Sequence, residues 1–296
     1  MTYIWIAVIA YMLFAINGVV DKFLLTKAVK QPAVYVFYIG ITSFLTWILA
    51  PFGLIIVGPK DLLIAMVGGA CFVIALYFLY VATKATSISR LLPIEGGLVP
   101  IFTLGFAYLL LGERLAGHQV LAFALLVAGA VLISFKHDAS GWHAKALGSA
   151  AAAAILFALH FTLTKYIFDQ TNFVSGLIWT RLGFLAVSLG LLISPSSRKA
   201  IFQAPRQTSK GNIFLYYGAR VSGGLAGLLQ NYAISLGSVT LVNAMQGTQY
   251  AFLLGLTVLL SKYFPKILKE QVNQTVLIQK ITAIVLISSG LIMLAL

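Results

Sequence analysis

The sequence predicts an all-α polytopic membrane protein with ten transmembrane helices, arranged as two inverted five-helix repeats. Of the 296 residues, 60% are hydrophobic and only 9% are charged. So few charges cannot cover a water-soluble surface, which excludes a soluble enzyme and a disordered chain. The apolar runs are continuous rather than alternating, which excludes a transmembrane β-barrel. At about 20 residues for each span, the chain has room for roughly ten helices.

The apolar runs are separated by short segments of Gly, Pro and charged residues, which mark loops. The first run lacks a basic leader and an obvious cleavage site, so we expect a membrane helix rather than a removed signal peptide. The single cysteine, Cys71, lies in an apolar run, so an internal disulfide is not possible. The predicted helices cover residues 3–21, 33–57, 62–82, 88–111, 117–135, 146–168, 172–194, 212–236, 238–261 and 275–296.

Weak internal matches divide the chain into two five-helix halves. Asn17 in the first predicted helix aligns with His160, 143 residues later, and Glu95 in the fourth aligns with Gln246, 151 residues later. Because each half has an odd number of helices, the second half must be inserted upside down. Inverted repeats are typical of secondary transporters, whose substrate site lies near the membrane midplane between the halves. The alternative is chance similarity between apolar helices. The two halves are residues 1–137 and 138–296.

The basic residues predict an orientation. Fourteen of the 20 Lys and Arg residues lie in or beside the odd-numbered predicted loops, and three lie in the even-numbered loops. Because basic residues accumulate on the cytoplasmic side, we expect cytoplasmic odd loops and both termini outside the cytoplasm. The formal net charge of +13 then belongs to loops that orient the helices and face anionic lipid, rather than to a nucleic-acid surface. We expect the protein in the cell membrane, plasma or inner.

Residues 80–133 combine a short polar helix junction, a proline-bearing fourth helix, the turn Leu-Gly-Glu-Arg-Leu at 111–115, and a fifth helix of small residues. Together with the start FAINGVVDK at 14–22, this pattern resembles the EamA family of the drug/metabolite transporter superfamily. The segment Trp-Thr-Arg at 179–181 resembles the family's arginine position in the seventh helix. The second half departs from the pattern: it lacks the Gly-Glu-Arg turn, with Glu270 as the nearest equivalent. Family members usually have cytoplasmic termini, so the charge count and the resemblance disagree.

The resemblance implies a ten-helix carrier for small polar metabolites, commonly an exporter of amino acids or related compounds, with no ATPase and no cofactor. The sequence agrees, since it lacks the Gly-rich phosphate-binding loop of ATPases. We therefore expect a secondary transporter that works by alternating access. Its expected partners are a small-molecule substrate, the lipid bilayer and, as a candidate coupling ion, protons. The alternatives are an intramembrane enzyme, for which no nucleophile–base spacing is visible, and a membrane protein that does not transport.

Glu95 is the leading candidate for a substrate contact, because a charge inside a membrane helix is costly and faces the bundle interior or water. The two glycines that follow it remove side chains where a substrate or a crossing helix could approach. The carboxylate could bind a substrate amine or exchange a proton during transport. The alternative is a structural ion pair with Arg90, Arg181 or Arg220.

Polar residues at helical spacing in the other predicted helices complete the candidate substrate site. For His160 the alternative is a hydrogen-bonded structural histidine, and Tyr80 could simply anchor its helix at the membrane interface. The glycines that follow Arg220 fit close helix packing as well as a cavity wall. No metal ligand or catalytic residue is predicted. The candidates are Asn17, Tyr77, Tyr80, Glu95, His160, Trp179, Arg181, Arg220, Asn231, Asn243, Gln246 and Tyr250.

Overall fold

The computed structural model describes residues 2–27, 31–85, 88–135, 144–207, 210–261 and 274–296. All regular structure in these ranges is helical. A 3₁₀ segment, Phe44–Phe52, continues α2, and a π-helical segment, Ala107–Leu111, continues α4. The α-helices are α1 Thr2–Lys27, α2 Pro32–Ser43, α3 Pro59–Ala85, α4 Ile88–Phe106, α5 Gly117–Ser134, α6 Ala144–Gln170, α7 Phe173–Gly190, α8 Pro195–Gln207, α9 Lys210–Leu236, α10 Val239–Ala244, α11 Gly247–Ser261 and α12 Gln274–Ala295.

Several of these helices are membrane spans. Within the described residues, seven helical segments are long and apolar enough to cross a bilayer. Large apolar side chains such as Trp5, Ile48 and Leu109 are exposed on the outside of the bundle, as expected for a surface that faces lipid. The chain is therefore a multi-pass membrane protein. The segments are Pro32–Phe52, Pro59–Thr83, Ile94–Leu111, Gly117–Ser134, Lys145–Gln170, Phe173–Gly190 and Val276–Ala295.

The second predicted helix, 33–57, ends earlier than the sequence indicated. Pro51 has no amide hydrogen to donate, and Gly53 adopts a left-handed φ of 113° that L-residues avoid. The chain from 54 to 58 is irregular, so the helix prediction there was wrong. The irregular segment crosses the start of α7, where the amide of Ile55 donates to Oγ of Ser175 at 2.8 Å.

Two other differences concern the second half. The predicted helix 238–261 is interrupted by a turn at Met245 and Gln246, which separates α10 from α11. The stretch after α7, expected to be a loop, contains α8, which begins with Pro195 at its first position, where proline is favoured.

The two halves of the chain share one apolar core. α3 packs against α6 and α7, α1 packs against α9 and α11, and α5 packs against α12. The contact between α3 and α7 is backbone to backbone: a Cβ atom added at Gly183 would lie 2.7 Å from the amide nitrogen of Ala70. Such close approach depends on small residues and is the usual means of helix association in lipid. The core brings polar side chains from α1, α4, α9, α10 and α11 to the middle of the bundle.

Candidate functional site

A buried hydrogen-bond network joins α1, α9 and α10. The hydroxyl of Tyr11 donates to the carbonyl oxygen of Val242 at 2.8 Å. Nε2 of Gln230 donates to the Tyr11 hydroxyl at 3.2 Å and to Oδ1 of Asn243 at 3.4 Å. Each of these polar groups finds a partner on another helix, which is what burial in an apolar bundle requires. The network therefore fixes α10, which is only six residues long, against both halves of the chain.

Gln246 lies in the turn between α10 and α11. Its Nε2 donates to the hydroxyl of Tyr250 at 3.1 Å, one turn along α11. The Tyr250 ring packs on Gly96 of α4, where an added Cβ atom would lie 2.7 Å from Cε2. Glu95, half-buried beside that glycine, lies close enough to interact electrostatically with Tyr250. The structure thus brings Glu95, Gln246 and Tyr250 together at the contact between the halves.

His160 lies in an aromatic setting between α6, α3 and α7. Its Nδ1 lies 2.9 Å from the carbonyl oxygen of Gly68. Because a carbonyl only accepts, Nδ1 carries the proton of this hydrogen bond. The His160 ring centroid lies 4.8 Å from that of Phe72 and 5.9 Å from that of Phe184. The ring is 2% exposed, so the hydrogen-bonded structural role left open by the sequence is satisfied here.

Arg181 places a cation in the same buried region. Its guanidinium carbon lies 4.3 Å from the centroid of the Phe184 ring, a cation–π contact. The side chain is 9% exposed, and its Nε has no hydrogen-bond partner. No carboxylate pairs with Arg181 among the residues that the structure describes. A buried guanidinium whose Nε has no partner retains the capacity to bind an anionic group.

Three of the candidate residues are asparagines. Two of them each have a buried side-chain atom without a hydrogen-bond partner, whereas the third is hydrogen-bonded within its own helix. Oδ1 of Asn17 lacks a partner, and its amide nitrogen packs over Gly223 of α9, where an added Cβ atom would lie 2.6 Å away. Nδ2 of Asn243 is likewise unpaired. Asn231 instead donates to the carbonyl of Gly227 in its own helix at 2.8 Å. An unpaired buried polar atom costs about 1–3 kcal/mol, so Asn17 and Asn243 are the amides best suited to bind a polar ligand.

Other sequence candidates lie away from this group. Trp179 donates from Nε1 to the carbonyl of Ile55 at 2.8 Å, which fastens the irregular segment 54–58 to the end of the bundle. Tyr77 is 38% exposed beside Phe78. Tyr80 packs edge-on against Tyr35, with centroids 4.7 Å apart. The side chains of Arg90 and Arg220, and the whole of Glu270, lie outside the described residues.

Tyr11 and Gln230 belong to the buried network but were not predicted from the sequence. Gln230 immediately precedes the candidate Asn231, and an amide within an apolar helix is the same signal at either position. Tyr11 lies six residues before Asn17 in the first helix, a spacing that does not put the two side chains on one helical face. Its single hydroxyl is easily taken for an interfacial anchor when only the sequence is known.

One end of the bundle is closed by contacts between the halves. The carboxylate of Glu113, in the Leu-Gly-Glu-Arg-Leu turn, accepts a 2.5 Å hydrogen bond from the hydroxyl of Ser238, which also caps α10. Gly112 enters that turn with a left-handed φ of 67°. Beside it, the ring of Tyr3 packs flat on Gly237, where an added Cβ atom would lie 2.6 Å from Cγ. The turn therefore joins α4 to the junction of α9 and α10.

Comparison with known proteins supplies a family and a fold. Residues 1–135 match the EamA-like transporter family. No curated protein matches the chain. A solved crystal structure of a protein aligns over 100% of this chain and 99% of its own, with a TM-score of 0.71 and 17% sequence identity. At that identity the likeness shows a shared fold alone.

Proposed function

We propose that the protein is a secondary transporter, because residues 1–135 match the EamA-like transporter family, whose members are transporters rather than enzymes. It exports small polar metabolites, such as amino acids or related amines, across the cell membrane. The observation that carries the proposal is the meeting of Glu95 with Gln246 and Tyr250 where the two halves touch. Transport by alternating access requires a polar site at that place.

The helix pairing supports two inverted five-helix repeats, residues 1–137 and 138–296, with ten spans in all. Contacts between the two halves occur in corresponding pairs. The contact of α3 with α6 corresponds to that of α9 with α1, and the contact of α4 with α6 corresponds to that of α11 with α1. The contacts α2–α7 and α5–α12 pair each helix with its own counterpart. This is the pattern expected of a pseudo-two-fold axis between the halves.

Individual contacts follow the same relation. His160 stacks near Phe72 of α3, and its counterpart Asn17 packs on Gly223 of α9. Phe72 and Gly223 are separated by the 151 residues that also separate Glu95 from Gln246.

The site's chemistry favours a zwitterion or an amine. Glu95 has no ion pair among the described residues and offers a carboxylate to a substrate ammonium group. Arg181, whose guanidinium lies over the Phe184 ring and whose Nε has no partner, offers a donor to a substrate carboxylate. Charge-assisted hydrogen bonds of both kinds are about twice as strong as neutral ones. The amides of Asn17 and Asn243 add neutral hydrogen-bonding capacity on the α1 and α10 side.

Alternating access requires that the bundle open at each end in turn. Opening the end that holds Glu113 breaks its hydrogen bond to Ser238 and separates Tyr3 from Gly237. Both contacts join the first half to the second, so rocking of the halves acts on them together. Protons remain a candidate coupling ion, with Glu95 as the group that would carry one.

Counterflow in proteoliposomes, with a panel of labelled amino acids and amines, tests the proposal. We expect accumulation of at least one class, loss of most flux in Glu95→Gln, and impaired flux in Arg181→Lys, where a point charge replaces a planar fork. Asp169→Asn is the matched control, because it makes the same carboxylate-to-amide change at an exposed carboxylate that pairs with Lys165 one turn earlier in its own helix. All variants must insert and remain monodisperse. Normal counterflow by Glu95→Gln would show that Glu95 has a structural role and does not bind substrate. Absence of flux for every compound of the panel would favour a membrane protein that does not transport.

A further inference from the structure

Helix α8 is placed by topology at the surface of the membrane. It follows the span α7 after a turn at 191–194 and leads to α9, which begins at Lys210. Its 13 residues measure about 20 Å as an α-helix, too short to cross a bilayer. A short helix between two long ones in this position lies at the end of the bundle, where lipid headgroups are.

The inner face of α8 is fixed to the protein. Ile201 is fully buried, and its carbonyl oxygen accepts a hydrogen bond from the hydroxyl of Tyr38 on α2 at 3.2 Å. Tyr38 lies in the first two turns of α2, so α8 is held near the end of that span. The helix is thus a built part of the bundle, and its opposite face is presented in a defined orientation.

The outer face of α8 combines two cations with an aromatic ring. Arg198 and Lys199 precede Phe202 by four and three residues, so all three share one helical face. Both cations are exposed, and Phe202 is 63% exposed. Ile193, in the turn before the helix, is 84% exposed. No acidic residue occurs between residues 191 and 207.

This combination suits the boundary between headgroups and acyl chains. Exposed aromatic and aliphatic side chains are unfavourable in water and favourable at that depth, whereas Lys and Arg extend toward phosphates. An Arg guanidinium binds a phosphate through two parallel hydrogen bonds, and Lys adds a point charge. The loop that holds α8 is also one that the charge distribution predicts to be cytoplasmic, the side on which anionic lipids concentrate.

We propose that the outer face of α8, formed by Arg198, Lys199 and Phe202, is a binding surface for the headgroup of an anionic phospholipid. The two cations bind the phosphate, and Phe202 lies beside the upper acyl chain. Lipid bound at this surface anchors α8, and through it α2, in the membrane leaflet. The position of this end of the bundle in the membrane therefore depends on the lipid composition. It is independent of the substrate site proposed above.

Binding of fluorescent phosphatidylglycerol to the full-length protein in zwitterionic detergent tests this surface. Removing both cations in R198Q/K199Q should weaken the apparent affinity about 30-fold, the effect of two near-surface charges. The control K60Q/R114Q removes the same charge from two exposed positions outside α8 and should leave binding within about twofold of wild type, the scatter expected for distant surface changes. Phe202→Ser should weaken lipid binding without changing the formal charge.

The other arms identify the ligand. Fluorescent phosphatidylcholine should not discriminate between wild type and R198Q/K199Q, and inorganic phosphate should compete no better than chloride at equal ionic strength. Equal loss in both double variants would show general charge attraction and overturn the proposal. Competition by inorganic phosphate, with unchanged binding in Phe202→Ser, would replace the lipid with a free anion. R198K/K199R retains both charges and should bind lipid, which separates a lost surface from a misfolded protein.

Discussion

A methyl group at Gly183 should loosen the bundle at the contact between α3 and α7. In Gly183→Ala the new Cβ atom would lie 2.7 Å from the amide nitrogen of Ala70 and closer still to the carbonyl oxygen of Met66. Nonbonded heavy atoms rest about 3.5–4.0 Å apart, so the helices must separate by roughly 1 Å. The reciprocal residue, Gly69, packs on the carbonyl of Thr180 in the same way, so the separation cannot be absorbed locally.

The loss of stability in Gly183→Ala depends on which atoms of α3 oppose the new methyl group. Overpacking a core usually costs about 1–3 kcal/mol, and side chains that can rotate account for the low end. At Gly183 the opposing atoms belong to the α3 backbone, so we expect about 3 kcal/mol. With about 2.1 cal/mol/K of unfolding entropy for each of the 296 residues, this corresponds to a fall in the melting temperature of about 5 °C.

Cys71 provides the assay. It is the single cysteine of the chain, lies on α3 two residues after Gly69, and is 7% exposed, so a thiol-reactive fluorogenic dye labels it when α3 loses its packing in the bundle. Purified protein is heated with the dye, and the midpoint of labelling is compared between variants. Gly190→Ala adds the same methyl group to the same helix, at a position with no heavy atom within 4 Å, and should leave the midpoint unchanged. An unchanged midpoint in Gly183→Ala would refute the argument that the glycine contact holds α3 to α7.

Two further expectations concern the polar network and the orientation. Tyr11→Phe removes the donor to the carbonyl of Val242 and the acceptor for Gln230, so stability should fall by about 1–3 kcal/mol. The labelling midpoint of Cys71 measures it, and wild-type stability would show that Tyr11 is dispensable. The charge distribution predicts both termini outside the cytoplasm, so a C-terminal reporter that is active only in the cytoplasm should be inactive in whole cells. An active reporter would restore the orientation usual for the family.

The amino-acid pattern predicted the membrane class and most helix positions because long apolar runs admit few alternatives. The fifth helix, expected at 117–135, is observed at Gly117–Ser134. The same runs hide interruptions, since apolar residues continue across them. The apolar pattern therefore predicts one helix over 238–261, although Met245 and Gln246 form a turn within it. The sequence of α8 is mostly polar, and a polar segment between two membrane spans usually predicts a loop. Only the helical spacing of its few apolar residues indicates a helix.

The candidate site was harder to predict than the fold. Position within a helix indicated Glu95, Gln246 and Tyr250, because ionisable and amide groups in lipid need a reason to be there. Whether a polar group is already satisfied depends on the partner helix. Trp179 is engaged by a backbone carbonyl, whereas Arg181, two residues away, keeps an unpaired nitrogen. A single sequence does not show which residues of distant helices face each other. Which polar groups already have a partner could therefore be seen only in the folded structure.

The turn at Met245 and Gln246 is a hinge between the helices α10 and α11. The amides of Gln246 and Thr248 bond to carbonyls three residues back, at 3.1 and 2.9 Å, so the α-helical ladder does not run through the hinge. An unbroken helix is stiff and passes a tilt along its whole length, whereas a hinge lets one arm swing while the other stays fixed. The α10 arm is tethered by Tyr11, and the α11 arm carries Tyr250. Motion of Tyr250 can therefore leave the tethered arm, and the buried hydrogen bonds that hold it, undisturbed.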